Sequence, residues 1–438
     1  MKTIGIYDEL LYYNKYYNKD LNSQPRNKMN IVLSSSVFFQ KSEHLLHEIF
    51  EHEVDSPFTV CMLKFSEVEL KLLLQLPYPH PPLIGAAKRR VHLLQKLKNY
   101  NTFSFFKSFT DIIRIEHLDA PICFVICNLN EGLDICKLSL DSSMYVFFNA
   151  YEKALFDIEE IKWWKPFMTI RKVVMPYDQK LLTLNPITKC KHDISKNDLI
   201  LINEKLYVVG QNLKLFNDDG GEANLFKMNP DSGEVVKIFK FLSSNKSKKI
   251  HFLLRANGDE SLLPLFCTLP KALAKSKNGE LIGYCMNFVD GVRLDRYIYN
   301  LSQDENITII RVVKVFMQIA LAVRTVHLSD LVIGDLCASN FMVENSGKVR
   351  IVDCDSFQIM NYPCEGFHFE ASSYEGKFLS CADDFYLLKL MFDHLIEYFN
   401  QEIVNEYTKI VNTYHSFIND VSGFIYAFYY YLHMVEEI

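Results

Sequence analysis

Three polar side chains stand at fixed intervals in the last third of the chain. Asn340 follows Asp335 by five residues, and Asp353 follows Asp335 by eighteen. Two apolar runs, at 341–343 and 349–352, lie between Asn340 and Asp353 and predict a strand, a tight turn and a second strand. Paired strands would hold the polar groups at constant separation, so this stretch restricts the fold of the chain around it.

An aspartate, an asparagine and a second aspartate in this order supply the groups that phosphoryl transfer requires. One carboxylate orients and deprotonates the attacking hydroxyl, while an amide oxygen and another carboxylate hold Mg²⁺ on the phosphates. The spacing therefore favours a single site made of Asp335, Asn340 and Asp353. A surface turn that happens to carry polar residues is the alternative interpretation.

Composition excludes several other classes of protein. The 438 residues are 49% apolar and 13% aromatic, which excludes a disordered or collagen-like chain and predicts two or three domains. A net charge of −6 gives no overall attraction to nucleic acid or to an anionic membrane. The eleven scattered cysteines are typical of a reducing compartment. Without a secretory signal or an apolar run of membrane-spanning length, a soluble cytoplasmic protein is expected.

The chain divides into an N-terminal and a C-terminal part. Residues 1–28 show no clear period and are expected to be a poorly ordered lead-in. Residues 29–196 are predicted to form an accessory α/β domain of unknown function, because strand-like and helix-like runs alternate there. The predicted strands are 30–39, 58–65 and 122–129, and the predicted helices are 42–52, 67–75 and 86–98.

From about residue 197 the pattern changes to paired strands followed by helices. Turn-forming sequences at 229–233 and 277–280 predict hairpins. The predicted strands are 199–203, 205–210, 223–228, 234–239 and 281–288, and the predicted helices are 247–255, 306–327, 382–399 and 421–435.

The order of these parts over 199–438 resembles the protein-kinase fold. The sequence is similar to the eukaryotic-like bacterial Ser/Thr kinases, in particular the atypical group found with type 2C phosphatases and von Willebrand-type proteins. That group has Gly-Asp at the catalytic aspartate, as in Gly334-Asp335, and a D-x-D-S-x-Q sequence, as at 353–358. The resemblance implies an α+β fold with a strand-rich lobe at 197–289, a short helical lobe at 290–438 and the accessory domain before them.

The resemblance also implies roles for individual residues. Asp335 would be the catalytic base, Asn340 and Asp353 the metal ligands, and Lys237 the lysine that contacts the α and β phosphates.

Further residues would bind the nucleotide. By the same resemblance Gly220 and Gly221 would lie over the phosphates, and Met286 would border the adenine pocket. Backbone groups of Asn287 and Val289 would bind adenine.

Some positions match the family in part or depart from it. Asp383 would be the buried aspartate that braces the catalytic loop. Cys337 stands where a lysine is usual, and Asp355 replaces the glycine of Asp-Phe-Gly. No glutamate falls on the helix after Lys237, where the family has the acidic partner of the lysine.

These observations predict an ATP-dependent phosphotransferase that uses ATP and Mg²⁺. A Ser/Thr protein kinase acting on a protein substrate, with autophosphorylation, is the preferred function. The N-terminal domain would recruit a partner or dimerise, and neither membrane nor nucleic acid is expected as a partner. Two alternatives stay open, a nucleotide-binding pseudokinase that acts as a scaffold and an enzyme of the same fold that transfers AMP or phosphorylates a small molecule.

Overall fold

The computed structural model describes most of the C-terminal half of the chain and separate segments of the N-terminal half. The described residues are 194–217, 222–228, 233–257, 262–359, 362–364 and 379–436, together with 68, 69, 71–73 and the strands given below that precede residue 194.

Strands occur in both halves. Those of the N-terminal half are β1 (Met29–Leu33), β2 (Phe58–Leu63), β3 (Ser104–Phe106), β4 (Ile122–Ile126), β5 (Tyr145–Asn149), β6 (Ala154–Asp157) and β7 (Lys189–Lys191). Those that follow are β8 (Leu199–Ile202), β9 (Lys205–Val208), β10 (Lys214–Asn217), β11 (Ala223–Lys227), β12 (Glu234–Phe239), β13 (Phe241–Ser243), β14 (Ala272–Ser276) and β15 (Leu281–Asn287). Short strands complete the set, namely β16 (Gly291–Arg293), β17 (Leu331–Val332), β18 (Phe341–Glu344), β19 (Val349–Ile351) and β20 (Gln358–Ile359).

The labelled helices all lie after residue 243. They are α1 (Ser244–Ala256), α2 (Leu263–Phe266), α3 (Leu294–Ser302), α4 (Ile309–Leu328), α5 (Cys381–Ile396), α6 (Gln401–Thr413) and α7 (Val421–Glu436), with one-turn 3₁₀ helices at Ala338–Asn340 and Cys354–Ser356. No helix among the described residues is both long and apolar enough to cross a membrane.

The first sheet has the strand order β3-β2-β1-β4-β5-β6. Every neighbouring pair among the five strands β1 to β5 is parallel, and β6 is antiparallel to β5. The strands predicted at 30–39, 58–65 and 122–129 are confirmed by β1, β2 and β4. Of the predicted helices, 42–52 and 86–98 lie outside the described residues, as does the lead-in at 1–28, whereas 68, 69 and 71–73 are helical as predicted for 67–75.

The second sheet is antiparallel throughout, with the strand order β10-β11-β12-β15-β14-β8-β9. The two hairpins predicted for this region are confirmed by the pairs β11 with β12 and β14 with β15, and the strands predicted at 199–203 and 205–210 pair as β8 with β9. Successive side chains of a strand point to opposite faces. Val236 accordingly packs in one apolar cluster, whereas Val235 and Phe239 pack in another that includes Ile250 of α1. Lys237, in phase with Val235, lies on the face that meets α1.

Helix α4 lies at the centre of the helical part. Phe316 of α4 stacks on Phe392 of α5 with ring centroids 4.4 Å apart, and its ring is 6.4 Å from that of Phe428 on α7. A helix that is apolar on most sides needs such complete burial. The helices predicted at 306–327, 382–399 and 421–435 are confirmed by α4, α5 and α7.

A buried carboxylate joins residues 68, 69 and 71–73 to this helical core. Glu69 is fully buried, and its Oε1 accepts hydrogen bonds from Nε of Arg324 on α4, at 2.9 Å, and from the hydroxyl of Ser422 on α7. Val68 and Leu73 belong to the same apolar core. Because a buried charge is costly unless it is paired, these contacts fix this N-terminal segment against the two helices.

The Glu69 contacts predict a large effect on stability. Glu69→Ala should lower the free energy of unfolding by about 3 kcal/mol, because it removes the carboxylate that α4 and α7 bind inside the core. Urea denaturation followed by circular dichroism measures the change. Glu305→Ala, at an exposed loop position, is the matched control and should change stability by less than about 0.5 kcal/mol. Equal unfolding midpoints for the two variants would contradict the role of Glu69.

Candidate active site

The strand, turn and strand predicted after Asp335 are present as β18 and β19, which pair in antiparallel register. At the open end of this hairpin the N–H of Val352 donates to the carbonyl of Asn340, at 2.8 Å. The bond places the backbone next to Asp353 beside Asn340. Two of the predicted site residues are therefore neighbours in space, although thirteen positions separate them in sequence.

Asn340 in turn holds Asp335. The amide Nδ2 of Asn340 donates to the carboxylate Oδ2 of Asp335 at 3.0 Å and to the main-chain carbonyl of the same residue at 2.9 Å. Two bonds from one amide fix both the loop and the direction of its carboxylate. Asp335 thus has the oriented carboxylate that a general base requires.

Lys237 reaches the same group from the second sheet. Its side chain is buried, and Nζ pairs with the carboxylates of Asp353 and Asp355, the latter at 2.8 Å. Burial alone would lower the pKa of this lysine, but Asp355 and Asp353 outweigh it and raise the pKa above its usual value. Lys237 therefore stays protonated. The residues predicted for chemistry are thus connected. Asp335 bonds to Asn340, the backbone bond of Val352 places Asp353 beside Asn340, and Asp353 pairs with Lys237.

Asp355 is the most buried carboxylate of this group, with 1% of the residue exposed. Its Oδ1 accepts hydrogen bonds from Nζ of Lys237 and, at 2.6 Å, from the hydroxyl of Tyr284. Burial would raise the pKa of Asp355, but the ammonium groups of Lys237 and Lys246 hold it well below its usual value. Burial and the charge of Asp355 raise the pKa of the Tyr284 phenol, so this hydroxyl stays a donor.

Helix α1 adds a lysine to the group and no acid. Lys246 is buried in the first turn of α1, with Nζ at 2.6 Å from Oε2 of Glu222 and 3.4 Å from Oδ2 of Asp355. The sequence of α1 contains no aspartate or glutamate. This helix therefore offers Lys237 no acidic partner. The sequence pattern did not predict that Asp355, Tyr284 and Lys246 surround the lysine.

A glycine lets two strands approach beside Lys237. Gly283 on β15 lies so close to β12 that a Cβ there would be 2.0 Å from the carbonyl oxygen of Lys237. Any larger residue would push the strands apart and move the lysine. Gly283 therefore contributes to the position of Nζ.

The aspartate that braces the loop before the first site residue is Asp384, and the prediction of Asp383 for this role is wrong. Asp384 is fully buried and accepts hydrogen bonds from the N–H groups of Ile333, at 2.7 Å, and Gly334, at 2.8 Å. Its Oδ2 also lies 2.8 Å from Nε2 of His327 on α4. The loop is thereby held to both α4 and α5.

Asp383 caps helix α5 instead. Its Oδ2 accepts hydrogen bonds from the N–H of Ser380, at 2.6 Å, and from the hydroxyl of the same residue, at 2.8 Å. Ser-x-x-Asp at a helix start is the signature of a capping box. This signature at 380–383 was the sequence signal that could have assigned the two adjacent aspartates correctly.

The glycine before Asp335 is required by its conformation. Gly334 has φ of +72°, and a Cβ there would lie 2.6 Å from Sγ of Cys364. Side chains rarely tolerate either condition. Gly334 thus lets the loop turn tightly while its own N–H group and that of Ile333 reach Asp384.

The remaining polar residues of the 353–358 stretch have structural roles. The hydroxyl of Ser356 donates to the carbonyl of Asp353 at 2.9 Å. The Gln358 side chain donates to the carbonyl of Leu379 at 2.8 Å and accepts from its N–H at 2.7 Å. Asp353 itself has φ of +65°, in the left-handed region that aspartate tolerates better than most residues. These contacts stabilise the turn that presents the Asp353 carboxylate.

The residues predicted to bind adenine lie at the end of β15. Met286 is buried in the cluster that contains Val235 on the facing strand. The N–H of Phe288 donates to the carbonyl of Gly233 at 2.8 Å, whereas the pairing of β15 with β14 reaches only to Cys285. On the side of β15 that faces β14, the backbone groups of Asn287 and Val289 therefore lie past the last paired residue, Cys285.

The glycine pair predicted to bind phosphate, Gly220 and Gly221, lies outside the described residues, so its role stays a prediction. The strands on either side of it, β10 and β11, pair in antiparallel register.

The donor atoms present suit Mg²⁺. No group of three His, Cys, Asp or Glu side chains among the described residues is arranged to hold a metal ion, but Mg²⁺ commonly binds one or two carboxylates together with water and substrate phosphates. The hydrogen bonds described for the Asn340 side chain come from its amide nitrogen, which leaves the amide oxygen for a metal. Asp353 adds a carboxylate with 38% of its side chain exposed.

Cys337 lies two residues after Asp335, and its Sγ is 3.0 Å from the hydroxyl of Ser339. Burial raises the pKa of the Cys337 thiol, so the group is neutral at physiological pH. It adds no positive charge where the family resemblance leads us to expect a lysine.

The helices and the curled antiparallel sheet make this an α+β protein, compatible with a kinase-like fold. Over 145 residues the chain is 30% identical to protein kinase YegI of Escherichia coli O157:H7 and 29% identical to protein kinase YegI of Escherichia coli strain K12. Each match covers 32% of this chain and 22% of the length of the relative. No protein-family model matches the chain. The identities support a kinase-like relationship for the matched third.

The two adjacent aspartates predict different effects of the same substitution. Asp384→Ala should lower the free energy of unfolding by about 3 kcal/mol, because it leaves buried N–H groups without an acceptor. Asp383→Ala should cost about 1 kcal/mol, the usual loss for a helix cap. Urea denaturation of both variants provides the measurement, and a larger loss for Asp383→Ala would reverse the assignment.

Proposed function

We propose that this protein is an ATP-dependent phosphotransferase, and specifically a two-lobed protein kinase that phosphorylates Ser or Thr hydroxyl groups, its own included. The single observation that carries the proposal is the chain of polar contacts that joins Asp335, Asn340 and Asp353 to Lys237. The partial identity to protein kinase YegI supports it.

In this proposal Asp335 is the general base. The hydroxyl oxygen of the substrate attacks the γ-phosphorus, the bond to the oxygen that bridges the β and γ phosphates breaks, and the hydroxyl proton passes to the Asp335 carboxylate. Asn340 keeps that carboxylate directed at the hydroxyl. Lys237, protonated through its acidic neighbours, donates hydrogen bonds to the α and β phosphates.

The metal and the nucleotide would be held by residues already described. The amide oxygen of Asn340 and the carboxylate of Asp353 would bind Mg²⁺, which when bound neutralises charge on the phosphates. The backbone of Asn287 and Val289 would bind adenine beside Met286, and Gly220 and Gly221 would bind phosphate through their N–H groups.

A nucleotide-binding scaffold without turnover is the second candidate. Two observations favour it, the lack of any acidic residue in α1 and the neutral thiol of Cys337 near the catalytic position. Both changes remove groups that assist transfer in protein kinases.

Mass spectrometry of the intact protein after incubation with Mg²⁺ and ATP separates these candidates. The kinase proposal predicts added phosphate on the wild type and about a hundredfold slower addition on Asp335→Asn, because the general base is lost. Nucleotide binding that is equal in both proteins, without any modification, would support the scaffold. Addition of AMP would show nucleotidyl transfer and contradict the kinase proposal.

The metal assignment makes a separate prediction. Asp353→Ala should abolish the Mg²⁺-dependent part of ATP binding and leave adenosine binding unchanged, because the substitution removes a metal ligand and no apolar packing. Titration calorimetry with ATP, with and without Mg²⁺, and with adenosine measures both quantities.

Glu280→Ala, at the exposed turn before β15, serves as the control for this titration. Undiminished Mg²⁺-ATP affinity in Asp353→Ala would contradict the assignment of Asp353 as a ligand.

A further inference from the structure

We propose that Asp355 is the positioning residue that anchors Lys237, with helix α1 supporting it by a lysine in place of the missing helix glutamate. The importance of this anchor for phosphate binding rests on the proposed function. The anchor itself is a matter of charge and geometry, and its test needs no nucleotide.

Asp355 has the properties of a permanent anchor. It is almost fully buried, lies 2.8 Å from Nζ of Lys237, and is itself fixed by the Tyr284 hydroxyl at 2.6 Å. The other carboxylate on Lys237 belongs to Asp353, whose side chain is 38% exposed and which we assign to the metal. Of the two carboxylates described on Lys237, the Asp355 carboxylate therefore stays in place when Asp353 takes another partner.

Lys246 places a second ammonium group beside this buried carboxylate. The Oδ2 atom of Asp355 is buried and has no hydrogen-bond partner among the described residues, yet it lies 3.4 Å from Nζ of Lys246. One carboxylate thus faces two ammonium groups, one from β12 and one from α1. Pairing of this kind offsets the cost of removing the charges from water.

A second lysine of α1 holds the same segment. Lys249, one turn after Lys246, is fully buried, and its Nζ donates to the carbonyls of Ser356, at 3.4 Å, and Pro363, at 2.5 Å. The helix therefore supplies cations and the turn at 353–356 supplies the anion. The anchor of Lys237 and the proposed metal ligand Asp353 consequently lie on one short turn, two residues apart.

Competitive labelling of lysines in the full-length protein tests this role. Acetic anhydride at alkaline pH acylates the free amine, and peptide mass spectrometry gives the rate at Lys237. Asp355→Asn keeps the size of the side chain and an acceptor for Tyr284 but removes the charge. Without the buried anion the Lys237 amine should be held less firmly as an ion pair and be acylated about tenfold faster.

Two further variants should change the labelling rate of Lys237 in the opposite direction from Asp355→Asn. Lys246→Met leaves Asp355 to Lys237 alone and should slow labelling at Lys237. Lys246→Glu combined with Asp355→Asn moves the carboxylate onto α1 and should return the labelling rate to within about twofold of the wild type, because Lys237 regains an anionic neighbour. Glu222 is 56% exposed and can turn away from the new acid.

Labelling at Lys249 reports general loosening of the segment. Unchanged labelling of Lys237 in Asp355→Asn, an equal increase at Lys249, or no recovery in the double variant would each overturn the proposal. Failure of the phosphotransferase proposal is recognised separately, because a wild type that is never modified by Mg²⁺-ATP can still show the full labelling pattern.

Discussion

The buried pair of Lys237 and Asp355 connects the antiparallel sheet to the turn that follows β19. Lys237 comes from the second strand of a hairpin, and Asp355 from a 3₁₀ turn that packs beside the helical core. Both charges are removed from water, so each depends on the other for its stability. The position of Asp353, two residues before Asp355, depends on the same contact.

Around this pair, hydrogen bonds that involve main-chain groups position the loops of the site. The bond from Val352 to Asn340 closes the hairpin, and the two N–H groups bound by Asp384 hold the loop that carries Asp335. These bonds need no ligand, so the arrangement is preorganised. Preorganised charges stabilise a transition state without the cost of reorienting at the moment of reaction.

The sequence predicted those parts that rest on local patterns. Alternating apolar residues and turn sequences located the hairpins, and the spacing of Asp335, Asn340 and Asp353 indicated a single cluster. Helix α6 was missed because its buried residues form only a narrow stripe between polar ones. Ile403, Tyr407 and Ile410 do recur at helical intervals, and this was the signal available.

Features that depend on the tertiary fold could not be predicted in this way. The choice between Asp383 and Asp384 is decided by which side of the first turn of α5 meets the loop. The local sequence does not distinguish Lys246 from an exposed helix lysine, because its role depends on the packing of α1 over Asp355. Glu69 contacts Arg324, which is 255 positions away in sequence. No local pattern records contacts between such distant residues.

A crystal structure of the protein with Mn²⁺ and a non-hydrolysable ATP analogue would locate the metal relative to Asn340 and Asp353. We expect anomalous density for the metal within bonding distance of the Asn340 amide oxygen and the Asp353 carboxylate, with Lys237 on the phosphates and still paired with Asp355. Metal and nucleotide bound at a different place, or Asn340 and Asp353 turned away from the metal, would contradict this expectation.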